Sequence, residues 1–124
     1  LAAADHVVLV LPYSAETHHT IGVAEFVRMK PTATLVNIAR GGIVDDAALA
    51  EALATGQIAA AGLDVFENEP AVNPRLLQID NAVLTPHIGS ATLATRHAMA
   101  NLAFENRRTF FAGEHPPTPV PECR

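Results

Sequence analysis

The chain has 124 residues, 49% hydrophobic and 17% charged, enough apolar material for one compact core and too little charge for a disordered segment. Its net charge of -5 and pI near 5.6 exclude the clustered Lys and Arg with which nucleic-acid binders displace counterions; only Arg107 and Arg108 adjoin. No apolar run reaches the roughly 18 residues that span a bilayer, Asp5 and His6 stand where a signal peptide has a basic region, and the single cysteine, Cys123, has no disulfide partner, which points to a reducing cytoplasm.

Residues 7–11 are continuously apolar and stop at Pro12, the pattern of a parallel strand buried on both faces. A short helix is expected over 23–29, ended by Pro31, and a second apolar strand over 34–38. The best-marked helix follows Asp45, whose carboxylate can accept the free amides of the first turn. Val44 and Leu49 stand at the two positions of a hydrophobic staple, and Gly56 can close the far end. Leu49, Ala52 and Leu53 make its apolar face.

A third strand is expected over 58–65, where small residues at 59–62 let a helix lie close to the sheet, and a fourth over 82–85. Pro70 and Pro74 make the intervening 67–80 a loop with one helical turn near 75–77. An amphipathic helix over 92–112 places Met99, Leu102, Ala103 and Phe110 on one side, and Gly113 ends it. The proline-rich segment 114–124 reads as an extended tail.

Strands alternating with helices imply a doubly wound parallel α/β sheet, whose ligands bind at the carboxyl ends of the strands. Those ends fall at Pro12, at Ala39 with Arg40, at 65–69, and at Pro86 with His87. Arg40, followed by two glycines, can hold a carboxylate through two parallel hydrogen bonds; taken alone, such an arginine is ordinarily a solvated loop residue. Asp64 interrupts an apolar run, where it either bonds to neighbouring amides or meets a ligand. Glu69 alone reads as a surface glutamate, and His87 as either a structural histidine or a general acid and base. His6, His18, His19, His97 and His115 have no comparable setting, and adjacent His18 and His19 in a loop argue against a metal site, so no metal is assigned.

The combination carries more than its members. Reduction of a 2-oxo acid requires a held carboxylate, a polarised carbonyl and a proton donor: Arg40 can serve the first two, His87 the third, and Glu69 can orient the imidazole. Three segments, VNIARGGIVDDAALAEAL, IAAAGLDVFENEP and NAVLTPHIGSATLATR, occur in order and resemble the signature blocks of the D-isomer-specific 2-hydroxyacid dehydrogenases over nearly the whole chain.

The resemblance implies a Rossmann-type domain, with 1–113 its C-terminal portion and 114–124 a tail returning toward a substrate domain. It implies Arg40, Glu69 and His87 as catalytic residues. Cofactor contacts would fall on Val10, Leu11, Pro12, Thr17, Ile38, Ala39, Arg40, Asp64 beside the nicotinamide amide, His87, Gly89 and Ser90. Where many relatives have histidine this chain has Val10, which limits that position to backbone contact.

HIGSAT and GEHPPTPV are most similar to the glyoxylate and hydroxypyruvate reductase group, with 2-ketogluconate reductases close by; Glu69 in place of glutamine argues against the formate dehydrogenase branch. The implied protein is a cytoplasmic homodimer using NAD or NADP on a small 2-oxo or 2-hydroxy acid, with no nucleic-acid or membrane partner. No Gly-x-Gly-x-x-Gly turn occurs, so the pyrophosphate loop and the residue selecting NAD or NADP are expected upstream of Leu1, and the chain alone is expected to have little activity. A dinucleotide-sensing corepressor and a catalytically incomplete fragment remain alternatives.

Overall fold

The computed structural model describes residues 1–121, so Cys123 and the end of the tail lie outside the described residues. Four short strands, β1 (His6–Leu9), β2 (Thr34–Asn37), β3 (Ala60–Leu63) and β4 (Ala82–Leu84), pair in parallel in the order β1-β2-β3-β4. Between them lie α1 (Val23–Val27), α2 (Asp46–Ala54) and a single 3-10 turn at Leu76–Gln78, and α3 (Leu93–Phe111) follows β4. Every expected element is present, with the strands shorter at their carboxyl ends and β3 also starting later than expected. β2 stops at Asn37 because its buried side chain turns the backbone, Oδ1 accepting the Ala39 N–H at 3.1 Å and Nδ2 donating to the Arg40 carbonyl at 3.1 Å. Val10 and Leu11 thus run past the last paired residue of β2.

The first strand is not buried on both faces, as the uninterrupted apolar run at 7–11 suggested. Leu9, Leu35, Ala61 and Leu63 point to the buried face, with Asn37 beside them, and join Phe26 of α1 and Leu49 and Leu53 of α2 in one cluster. The opposite row, Val8, Val36, Gly62 and Val83 in register, is more open; Val8 is 52% and Val83 69% exposed. The cause is that α1 and α2 pack together over the same face of the sheet.

The signals at the ends of α2 act as expected. One Asp45 oxygen accepts the N–H groups of Ala47 and Ala48 at 2.9 and 3.0 Å, Val44 and Leu49 are both buried, and Gly56 takes φ +70°, where a side chain is disfavoured. Removing this cap with Asp45→Ala is expected to lower unfolding stability by about 1 kcal/mol, read as a lower urea midpoint at unchanged slope. An unchanged midpoint would show that the cap contributes nothing.

By its internal packing the chain divides into two units, Leu1–Gly89 and Ser90–Arg124. In the second, Thr92 caps α3 by accepting the Thr95 N–H at 3.1 Å, and Gly113 ends it at φ +75°. Asn106 bonds Thr118 through both ends of its amide, at 2.8 and 3.0 Å, which folds the tail back along its own helix. The expected apolar face of α3 is not buried: Met99, Leu102 and Phe110 are 57%, 48% and 65% exposed, and Thr109 is its one buried residue. Within this unit a lone helix has no second element against which to bury that face. Among the described residues no helix is long and apolar enough to cross a membrane.

Candidate active site

Because all four strands are parallel, their carboxyl ends share one edge of the sheet. Arg40 follows β2, Asp64 and Glu69 follow β3, and His87 follows β4, so the structure brings them to the same rim. Glu69 and His87 are in direct contact: Oε2 of Glu69 lies 2.7 Å from Nδ1 of His87, while Oε1 accepts the Phe66 N–H at 2.9 Å. Both carboxylate oxygens are thereby fixed, and the imidazole is held by one nitrogen, leaving Nε2 without a partner among the described residues. Burial alone pushes the Glu69 carboxyl up, but the His87 hydrogen bond, the Phe66 N–H and the charge of His87 outweigh it and hold the group below the usual glutamate range. Glu69 therefore faces His87 as a carboxylate.

His87 has φ +52°, a left-handed conformation that an L-residue adopts only when its surroundings hold it there. The holding group is Asp64. Its Oδ1 accepts from Thr85 Oγ1 at 2.6 Å and from the Ile88 N–H at 2.8 Å, and its Oδ2 accepts the Gly89 N–H at 2.9 Å. The bond from Thr85, then those from the two amides, keep the Asp64 carboxyl below the usual aspartate range against the opposing effect of burial. Of its two readings the amide-bonding one is what the structure shows: both oxygens are already engaged within the chain.

That shift carries a pH signature. A carboxyl depressed on folding stabilises the fold fully above its unfolded pKa, about 3.9, and this stabilisation is lost as pH falls through the lower folded value. Asp64→Asn should accordingly be less stable at neutral pH yet lose less further stability below about pH 4 than the parent. Thermal midpoints measured from pH 7 to pH 2 check this; parallel curves would remove Asp64 as an acid-sensitive tie.

Two clefts open on the rim. One, of about 450 Å³, is lined by Phe66, Pro70, Val72, Leu77, Leu84 and Pro86, with Glu69, Thr85 and His87 as its polar members. The other, of about 620 Å³, is lined by Val10, Leu11, Pro12, Tyr13, Ile38, Ala39 and Arg40. Six of these seven are residues for which the sequence implied cofactor contact. Val10 and Ile38 are 76% and 55% exposed, whereas the Ala39 side chain is buried, so Ala39 can offer a ligand only its backbone. Arg40 is exposed and donates from Nη1 to its own neighbour, the Ala39 carbonyl, at 2.6 Å. It lines a different cleft from His87 and touches neither His87 nor Glu69 among the contacts described. Thr17 closes the 12–17 loop, its hydroxyl donating to the Pro12 carbonyl at 3.0 Å and accepting the Ser14 N–H at 2.7 Å. Ser90 begins the second unit.

Sequence reasoning missed the groups that hold these residues. Asn37 ties the Arg40 turn, Thr85 buttresses Asp64, and buried Asp46 accepts the Glu67 N–H at 3.2 Å. Burial, helped by the neighbouring Glu67 and Asp45 carboxylates, pushes the Asp46 carboxyl up despite the Glu67 N–H and His19. Gly41 lies so close to the backbone of Phe66 that a Cβ there would sit 1.7 Å from its carbonyl oxygen. The doubled aspartate and the paired glycines were the available signals.

Residues 1–89 match the family model of the D-isomer specific 2-hydroxyacid dehydrogenase NAD binding domain. A glyoxylate reductase of Thermococcus gammatolerans is 54% identical over 120 residues, covering 97% of this chain and 36% of the relative. A glyoxylate/hydroxypyruvate reductase B of an Enterobacter species is 55% identical over 107 residues, 86% of this chain and 33% of the relative. The crystal structure of an NADPH-dependent glyoxylate/hydroxypyruvate reductase from Sinorhizobium meliloti, in complex with NADP and malonate, superimposes with a TM-score of 0.89 at 41% identity, covering 98% of this chain and 38% of that one. The chain thus spans little more than a third of the length of such relatives.

Proposed function

Since the chain belongs to the D-isomer specific 2-hydroxyacid dehydrogenases, we propose that the protein it forms part of moves a hydride between NAD or NADP and a small 2-oxo or 2-hydroxy acid, glyoxylate or hydroxypyruvate foremost. The observation that carries this reading is the 2.7 Å Glu69–His87 pair opening on a cleft at the carboxyl edge of a parallel sheet.

The 620 Å³ cleft fits one end of a dinucleotide: exposed Val10 and Ile38 offer apolar surface to a flat ring, and the backbone of Val10 and Leu11, past the last strand pair, offers polar groups beside it. Contacts at Thr17, Asp64, Gly89 and Ser90 belong to the same assignment, those of Asp64 and Gly89 through the turn they jointly form. A nicotinamide bound there would supply the hydride for the 2-oxo carbon of the substrate. Arg40 binds the substrate carboxylate and polarises the neighbouring carbonyl, which requires its guanidinium to leave the Ala39 carbonyl. His87, protonated, gives its Nε2 proton to the carbonyl oxygen as the alkoxide forms, and Glu69 holds the ring at Nδ1 and stabilises the cation until the proton leaves. In the reverse direction neutral His87 accepts the hydroxyl proton.

We also place the protein in the cytoplasm as a homodimer: its acidic charge opposes nucleic acid, and the exposed apolar side chains of α3 favour self-association. The test is the absorbance of NADH or NADPH at constant enzyme with glyoxylate or hydroxypyruvate, using the protein at its relatives' length. Steady oxidation is expected. Tight dinucleotide binding with no turnover on either acid would overturn the enzyme reading and favour a sensing module.

A further inference from the structure

On the flank of the rim, three donors that the catalytic reading leaves unused converge. His18 and His19 stack with ring centroids 3.8 Å apart, His19 Nε2 lies 2.8 Å from Glu67 Oε1, and one nitrogen of each ring and a Glu67 oxygen lie within 4.8 Å of one another. We propose that His18, His19 and Glu67 form a binding site for a borderline divalent metal ion, with Zn2+ as its ligand of choice.

The donor set is the first support. Two imidazoles and one carboxylate suit zinc-class ions, which take them at about 2.0–2.2 Å and accept a water in a remaining position. The partly exposed His18 side leaves room for that water.

The surroundings are the second. Metal-bound histidines characteristically have their other nitrogen engaged by an outer partner. Here His19 Nδ1 faces the Asp45 carboxylate at 4.0 Å, and Tyr13 Oη lies 3.2 Å from His18 Nδ1.

Charge is the third. Asp45, Asp46 and Glu67 gather three carboxyl groups within one neighbourhood, with Glu67 bonded to His19 and its backbone N–H to Asp46. Among the described residues no lysine or arginine pairs with any of the three; the lysine and arginine ion pairs go to Asp5, Glu51 and Glu105. A bound cation would compensate that excess.

Tetrahedral ligands at zinc distances stand about 3.3 Å apart, so the 2.8 Å contact between His19 and Glu67 opens by a few tenths of an ångström, while the exposed His18 ring, its donor within 4.8 Å of the others, tilts from its stack and closes onto the ion. The ion would then tie the loop after β1 to the segment that carries Glu69, two residues beyond Glu67.

The test is calorimetric titration of the untagged, chelator-treated protein with ZnCl2, with the visible spectrum of the Co2+ form as a second readout. One ion per chain with micromolar affinity is expected, with cobalt bands of mixed nitrogen and oxygen ligation. His18→Asn and Glu67→Gln should each weaken binding at least tenfold, while His97→Asn, remote in sequence and in the other unit, should not. His18 is exposed, so its replacement leaves the fold intact, as circular dichroism can verify. No saturable uptake at millimolar zinc, or parent-like uptake by the His18→Asn, Glu67→Gln double variant, would overturn the site.

Discussion

Gly41→Ala is expected to be the most damaging single-methyl change in the molecule. The added Cβ would meet Phe66 O at 1.7 Å, Phe66 C at 2.2 Å and Glu67 N at 2.8 Å, all of them backbone atoms that no side-chain rotation can clear. Either the turn after Arg40 or the segment from Phe66 to Glu69 must move. Neither is free: Asn37 fixes the first, and Asp46 fixes the second through the Glu67 N–H. Overpacking a tight site usually costs about 1–3 kcal/mol and sometimes more, and a backbone collision belongs at the upper end. The urea midpoint should fall accordingly, and because the two segments carry Arg40 and Glu69, activity should fall further than the loss of folded protein explains. A variant with parent-like stability would show that the two loops are less closely joined than described.

The largest catalytic effect is expected from His87→Gln. Glutamine keeps a hydrogen-bonding group beside Glu69 but cannot carry the transferable proton, so the chemical step loses its acid and base. A positioned general acid contributes about 10²–10⁴-fold, and kcat for 2-oxo acid reduction should drop by that order in the protein of full length. A kcat within a few fold of the parent would take His87 out of proton transfer.

What could be read from the chain beforehand divides along a physical line. Signals whose cause is local held: Asp45 as cap, the Val44 and Leu49 staple, Gly56 and Gly113 in left-handed conformations at helix ends. So did the placement of Arg40, Glu69 and His87 beyond strand ends, since parallel strands carry all such ends to one edge. Burial was less legible, because it depends on what covers a surface and not on the surface itself. The apolar run of β1 reads as doubly buried while Val8 stands open, and the apolar side of α3 finds no partner within its own unit. Contacts between distant segments were invisible for a related reason. Nothing near His19 announces Glu67, 48 positions away, and Asp64 reveals its task only when the Ile88 and Gly89 amides are brought to it. Of the two glycines after Arg40, Gly42 serves the turn at φ +77° and Gly41 the close approach, which here is to the chain itself.

In the proposed mechanism Glu69 and His87 act as one unit, the carboxylate working through the imidazole. A double-mutant cycle on kcat/KM for hydroxypyruvate reduction tests it most directly, using Glu69→Gln, His87→Gln and the double variant in the protein of full length. Glu69→Gln should lower kcat/KM in the parent but produce no further loss once His87 is glutamine, so that the double variant matches His87→Gln. Losses that multiply, with the double variant slower by the product of the two single effects, would contradict it.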